Sequence, residues 1–182
     1  VVTTYGMTET GSGVVYDGLP LDGVEVRVAD DGEIHLRGPM LLRAYRDGAD
    51  PKDADGWLPT GDLGAIGTEG RLVVHGRRGD LIITGGENVW PDPVETRLAL
   101  HPDVAEVAVA GREDAEWGQR VVAFVVPRPG AAPPELADLR SWVKAALPAF
   151  CAPRELALVP EIPRTALGKP RRDALVADRP TG

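Results

Sequence analysis

The segment RTALGKPRRDAL, residues 164–175, gathers Arg164, Lys169, Arg171 and Arg172 around a Gly168-Lys169-Pro170 turn. Cations so closely spaced can neutralise an anion, and a Gly-Pro turn places them on an exposed loop rather than in a core. The chain as a whole is acidic, with a formal net charge of −8. A nucleic-acid binder would spread its basic residues over much of a domain face, so this local cluster reads as an anion site and not as a nucleic-acid surface. The alternative is a solvated loop. A second candidate is VVTTYGMTETGSG, residues 1–13, where a β-branched run passes directly into a Thr- and Gly-rich turn. Buried strands have this form where they end at a ligand crevice, and a lone strand would need neighbours from polypeptide outside the sequence.

Other chemistries are disfavoured. His35, His75 and His101 are too scattered to suggest a metal cluster, and the single Cys151 excludes an internal disulfide framework. Cysteine usage of this kind suits a reducing compartment, with the cytoplasm as the default. No apolar run approaches the roughly 18 residues of a spanning helix, and the N-terminal residues lack a basic segment followed by an apolar one. The sequence therefore predicts neither membrane insertion nor export.

The elements that must hold these segments fall into two textures, and 182 residues with 43% hydrophobic content can bury a core in one or two domains. Residues 24–74 alternate short apolar runs with Gly, Asp and Pro turns, the pattern of a small antiparallel β unit. Within EIHLR, Ile34 and Leu36 share one face and Glu33, His35 and Arg37 the other, so His35 is expected at the solvated face. After Gly79 the pattern becomes mixed. DPVETRLALH predicts a helix over residues 93–100, with Asp92 as N-cap, Pro93 at the first helical position and Glu95 completing a capping box. Strands are expected over 104–111 and 121–126. ELADLRSWVKAAL then places Leu136, Leu139, Val143, Ala146 and Leu147 on one helical face, and a short strand follows over 155–159. PRPGAAPPE is a surface connection rather than a domain linker. The expected class is α+β: a β-rich partial subdomain of small antiparallel barrel type, residues 1–78, followed by a compact mixed unit, residues 79–182. The first 76 residues hold 13 acidic and 6 basic side chains, and the remainder 15 and 14, so charge as well as texture separates the two parts.

Four stretches, YGMTE, TGD, GRRGDLIITGGENVWP and PRTALGKPRR, occur in that order and together resemble the later core motifs of the adenylate-forming superfamily. That superfamily contains acyl-CoA synthetases, luciferases and peptide-synthetase adenylation domains. The stretch TYGMTETGSGVVYDGLPLDGVEVRV is most similar to o-succinylbenzoate-CoA ligases of menaquinone synthesis. The family's upstream phosphate loop has no counterpart here, so the resemblance implies the C-terminal portion of a longer ligase, a large N-terminal domain supplied elsewhere, and no adenylation by these 182 residues alone.

The chemistry the resemblance implies has two half-reactions: a carboxylate attacks the α-phosphate of ATP, then the thiol of CoA displaces AMP from the acyl-adenylate. ATP, Mg²⁺ and CoA are the implied cofactors and cosubstrates. By motif position, Tyr5, Gly6, Met7 and Thr8 would hold the nucleotide, Tyr5 stacking on adenine and Thr8 bonding the α-phosphate. Glu9 would help hold Mg²⁺. Asp62 and Arg77 would take the ribose. Lys169 would bridge the substrate carboxylate and the α-phosphate during adenylation, with Arg164, Arg171 and Arg172 supplying long-range field and solvated surface. Gly79, with Asp80 adjacent, falls at the family's hinge, about which the later domain acts as a mobile lid. Gly85 and Gly86 resemble the loop lining the pantetheine tunnel, bordered by Trp117, while Phe150 and Arg154 fall where some CoA ligases place an adenine stacker and a phosphate cation. Thr10, Gly11 and Ser12 would form an edge of the acyl pocket. Each residue has a plainer reading as turn, core or surface. Other acyl-CoA synthetases, a peptide-synthetase adenylation domain and a non-catalytic subunit or binding fragment remain open at this point, and the family is compatible with a homodimer.

Overall fold

A computed structural model describes residues 2–166 and 168–177. The fold is α+β and divides into two compact units, Val1–Gly79 and Asp80–Gly182.

The first unit is built from two antiparallel meanders. β1 (Thr4–Gly6), β2 (Gly13–Tyr16) and β3 (Leu19–Pro20) form one, and β4 (Glu25–Val28), β5 (Glu33–Arg37), β6 (Leu58–Ile66) and β7 (Leu72–Arg77) the other. The alternation in EIHLR has the expected result: Ile34 and Leu36 are fully buried while Glu33, His35 and Arg37 are partly exposed. These two side chains pack with Val14, Val15 and Leu72, and Tyr5 closes over the same cluster. The opening strand departs from expectation. β1 is short, it pairs with β2 from Thr4↔Tyr16 to Gly6↔Gly13, and Val2 is 65% exposed. Its neighbour is the strand on the far side of its own turn.

The second unit wraps a sheet on both faces. β8 (Ile82–Thr84) and β9 (Glu87–Val89) form a hairpin; α1 (Pro91–Leu98), β10 (Val104–Asp114), β11 (Gly118–Pro127), α2 (Leu136–Lys144), β12 (Glu155–Leu158) and α3 (Arg172–Ala177) follow. β11 is central, antiparallel to β10, parallel to β12, and joined to β8 at Gly118↔Thr84. Side chains alternate across a strand, and here both sets are buried: Val121, Ala123 and Val125 meet Val94, Leu98, Leu139 and Val143, whereas Val122 and Phe124 meet Ile162 and Leu175. That is why the two β-rich runs read as continuous apolar stretches.

α1 corrects the expected cap. The helix begins at Pro91 after an extended Trp90, not at Pro93. Two prolines stand two residues apart, and either could occupy the first helical position, where a missing N–H costs nothing. With Pro91 there, Asp92 lies inside the first turn and Glu95 is free to bond elsewhere. The expected helical stripe of ELADLRSWVKAAL holds at Leu139 and Val143, which are buried, but the helix stops at Lys144 and Ala146 lies exposed beyond it. Among the described residues no helix is long and apolar enough to cross a membrane.

Candidate functional site

The first unit brings Tyr5, Asp62 and Arg77 together. Asp62 and Arg77 are cross-strand partners on β6 and β7, and they form an ion pair with Arg77 Nε 3.1 Å from Asp62 Oδ1. The Tyr5 hydroxyl donates to Asp62 Oδ2 at 2.8 Å. Asp62 is buried, and its backbone is fixed by Thr60, whose hydroxyl accepts the Asp62 N–H at 3.1 Å and donates to the Ile34 carbonyl at 2.7 Å. Arg77 Nη1 donates in turn to the Thr60 carbonyl at 3.0 Å. Burial, reinforced by the Asp62 carboxylate, pushes the Tyr5 phenol far above its usual range, against smaller opposing effects of Thr60 and Arg77. Tyr5 is therefore a permanent donor. Its ring also walls an open groove of 540 Å³ with Val15, Leu72 and Val73.

The turn after β1 is tightly drawn. A Cβ on Gly6 would lie 2.1 Å from the Ser12 carbonyl oxygen, so only glycine lets the chain fold back there. The buried Thr10 hydroxyl accepts the Met7 N–H at 2.9 Å and sits within bonding distance of the Met7 and Ser12 carbonyls, at 2.8 and 2.7 Å. Thr10 is thus committed to the turn, while Thr8 and Ser12 face solvent and Gly11 supplies the left-handed residue, φ 73°. The Glu9 carboxylate accepts from the Tyr45 hydroxyl at 3.0 Å. Tyr45 lies 36 residues away in a loop with no sequence signal linking it to Glu9. Among the described residues no three His, Cys, Asp or Glu side chains are grouped to hold a metal ion. Glu9 would contribute a single carboxylate, a donor set that suits Mg²⁺ held largely by waters and phosphate oxygens.

In the second unit Gly85, Trp117 and Arg154 form a stack. Gly85 and Gly86 make the two-residue turn of the β8–β9 hairpin, both with positive φ, 60° and 84°. The Gly85 N–H donates to the Trp117 carbonyl at 2.9 Å, and the Arg154 guanidinium lies 3.9 Å from the centre of the Trp117 ring. Asp114 holds the Trp117 turn by accepting the Glu116 and Trp117 N–H groups at 3.0 and 3.1 Å, and Arg120 links Asp114 to Glu155. Glu155 also pairs with Arg112. This chain of charges is a feature the sequence did not disclose, because its members come from three separate strand ends. Phe150 is 37% exposed, whereas the neighbouring Cys151 is buried and its thiol is pushed up by burial.

The late cationic loop has an internal division of labour. An Arg164↔Pro170 bridge ties the two legs of this stretch together, with the Gly168 N–H on the Thr165 carbonyl and the Arg171 N–H on that of Pro163. Arg164 pairs with Glu106 at 2.8 Å, Arg171 with Asp173 at 3.4 Å, and Arg172 with Asp80, Asp92 and Glu95 at 2.9 to 3.0 Å. The reading of these arginines as solvated field is corrected most clearly at Arg172, whose side chain is only 15% exposed. Its acidic partners stand 77 to 92 residues earlier, so no local pattern could have shown them. Lys169 is exposed, and its ammonium has no hydrogen-bond or ion-pair partner among the described residues.

Residues 93–169 match the family model described as AMP-binding enzyme C-terminal domain. The chain is also 48% identical over 180 residues to a probable 2-succinylbenzoate–CoA ligase of Mycobacterium tuberculosis, covering 97% of this chain and 47% of that protein. Residues 93–169 thus carry the C-terminal domain of an AMP-binding enzyme. The fold of the chain agrees with that assignment: it superposes on the o-succinylbenzoate CoA synthetase of Bacillus subtilis, solved in complex with the acyl-adenylate intermediate OSB-AMP, with a TM-score of 0.86 at 34% identity over 98% of this chain and 41% of the other. The same Bacillus enzyme in complex with ATP and magnesium ion gives a TM-score of 0.84 at 33% identity over 97% and 41%. The chain thus spans about half the length of these adenylate-forming relatives. The matched family segment contains Trp117, Phe150, Arg154 and Lys169, while Tyr5, Asp62, Arg77 and the hairpin glycines lie before it.

Proposed function

We propose that this chain is the later part of an AMP-forming acid–thiol ligase that converts o-succinylbenzoate to its CoA thioester. The observation that carries the reading is the state of Lys169: of the four cations on its loop it alone has no partner among the described residues, and it sits on a turn whose two legs are fastened by charge. An ammonium so presented is available for an anion that arrives with the substrate.

In the first half-reaction a carboxylate oxygen forms a bond to the α-phosphorus while the bond to pyrophosphate breaks. Two anions must approach, so a compact cation between them stabilises the transition state more than the separated reactants. Lys169 takes that place. Asp62, with two oxygens and several lone pairs, accepts the ribose hydroxyls, and Arg77 and Tyr5 hold its carboxylate in position. Thr8, exposed at the turn, donates to the α-phosphate, and Glu9 contributes one ligand to Mg²⁺, which would neutralise phosphate charge when bound. In the second half-reaction the CoA sulfur bonds to the acyl carbon and AMP departs. The narrow turn at Gly85 and Gly86, the Trp117 ring and the Arg154 cation supply a path and an anchor for the thiol's carrier. The first unit belongs to the end of a large nucleotide-binding domain, the second is its mobile lid, and Gly79 is the pivot. Cytoplasmic ATP and CoA suit this chemistry.

The test uses the complete ligase carrying this sequence. Lys169→Ala lowers carboxylate-dependent pyrophosphate exchange by about 100-fold or more, the scale expected for losing one preorganised charge stabiliser, while supplied acyl-adenylate is still converted to thioester. Exchange at the parental rate would remove Lys169 from the mechanism. Exchange supported only by acids other than o-succinylbenzoate would displace the proposed substrate.

A further inference from the structure

Arg172 begins α3, three residues after Lys169, and every arm of its guanidinium is occupied. Nε donates to the Val109 carbonyl at 3.0 Å, Nη1 to Asp80 at 3.0 Å, and Nη2 to Asp92 at 3.0 Å and to both oxygens of Glu95 at 2.9 and 3.0 Å. Glu95 is itself fixed to β10, accepting the Val109 N–H at 2.7 Å. The other leg of the loop is tied to the same strand by Arg164 and Glu106, but that pair is about half exposed and so contributes little. The Arg172 cluster is the firm anchor. Its reach to Asp80 has a second effect, because Asp80 is the first residue of the second unit and follows Gly79 directly.

We propose that Arg172 is a positioning residue that locks the Lys169 turn and Asp80 into one frame. The lysine is then presented by the body of the second unit, and Asp80 travels with that unit, leaving the backbone freedom between the units to Gly79. A lysine at this position would keep the charge yet could not reach Asp80, Glu95 and the Val109 carbonyl together, since only the planar fork has donors in all these directions. The inference rests on the adenylation role of Lys169 for its catalytic consequence, but not for its structural one.

Two measurements separate these. In the 182-residue chain, Arg172→Lys should accelerate amide exchange at Gly168, Lys169 and Arg171 by about tenfold or more, the factor for losing one charge-assisted hydrogen bond, with Val122–Val125 of β11 unchanged. In the complete ligase the same variant should lose adenylation kcat by about tenfold with KM for ATP retained, and keep conversion of supplied acyl-adenylate. Parental exchange on the loop overturns the proposal whatever the catalysis. So does an equal loss in both half-reactions, which is what a merely less stable protein would show. Should Arg172→Lys fail to fold, Asp80→Ala removes one arm, leaves the contacts to Glu95 and Val109, and must give the same split between half-reactions or the proposal falls. Lys169→Ala measured alongside reports on the functional reading: parental adenylation there, with accelerated exchange in Arg172→Lys, refutes that reading and leaves the frame standing.

Discussion

Gly85→Ala tests whether the hairpin turn and the Trp117 ring form one close-fitting surface. Two costs can be worked from the structure. The position has φ 60°, and holding a residue with a Cβ in that left-handed region costs about 1–2 kcal/mol. The new Cβ would also lie 2.6 and 2.8 Å from Trp117 Cε3 and Cζ3, too close to tolerate, so the ring must move off Arg154 and forfeit a contact worth about 0.5–1 kcal/mol. The sum is about 1.5–3 kcal/mol, which in a unit of this size lowers the midpoint of thermal unfolding by about 6–20 °C. Gly86→Ala is the control: its φ of 84° carries the backbone cost, but nothing lies within 4 Å of its added Cβ. Thermal unfolding of the chain, followed by tryptophan fluorescence and by circular dichroism, should show Gly85→Ala below Gly86→Ala, with a shifted emission only in the former. Equal midpoints and equal spectra would refute the close packing on which the proposed CoA path depends. In the complete ligase, Gly85→Ala should impair thioester formation more than adenylation.

Two further outcomes follow from the first unit and from the boundary. Because the folded state holds the Tyr5 proton more tightly than the unfolded chain does, stability contributed by Tyr5 is present below about pH 10 and falls as the pH rises beyond it, by up to about 1.4 kcal/mol per pH unit for one proton; Tyr5→Phe should flatten that slope in urea titrations, and an unaltered slope would show that another group causes it. Gly79→Pro meets no steric obstacle at its Cβ but fixes φ and removes an N–H, so in a folded complete ligase it should preserve one half-reaction far better than the other, whereas parental rates for both would move the pivot elsewhere.

The sequence made some of these features readable for definite reasons. Ile34 and Leu36 alternate with polar neighbours, and a strand turns that alternation directly into an inside and an outside. The order of four motifs carried the family and, with it, the neighbourhood of Asp62 and Arg77. What stayed hidden involves partners distant in sequence or choices between equivalent local signals. Pro91 and Pro93 offer the same start to α1, and only packing of Pro91 into the unit selects the first. Arg172 sits among cations that face solvent, so its burial against Asp80 and Glu95 follows from tertiary structure alone. Tyr45 and Glu9 illustrate the same limit, as do Trp117 and Arg154, whose stacking depends on where β12 enters the sheet.

The placement of β12 also sets an order of assembly. β10 and β11 are joined by a tight turn and can pair as soon as both exist, from Val104 to Pro127. β12 instead lies parallel to β11, with Val122 opposite Glu155, and reaches it only after the chain has passed through α2. Parallel addition of this kind must close a long loop before any contact repays the entropy, so it belongs late in folding. Arg154 immediately precedes β12 and gives its N–H to the Val121 carbonyl at 2.8 Å. Its arrival over Trp117 therefore waits on that crossover, and a nascent chain can have a formed hairpin and a formed β10–β11 ribbon while the cation proposed for the thiol-carrier path is still unplaced.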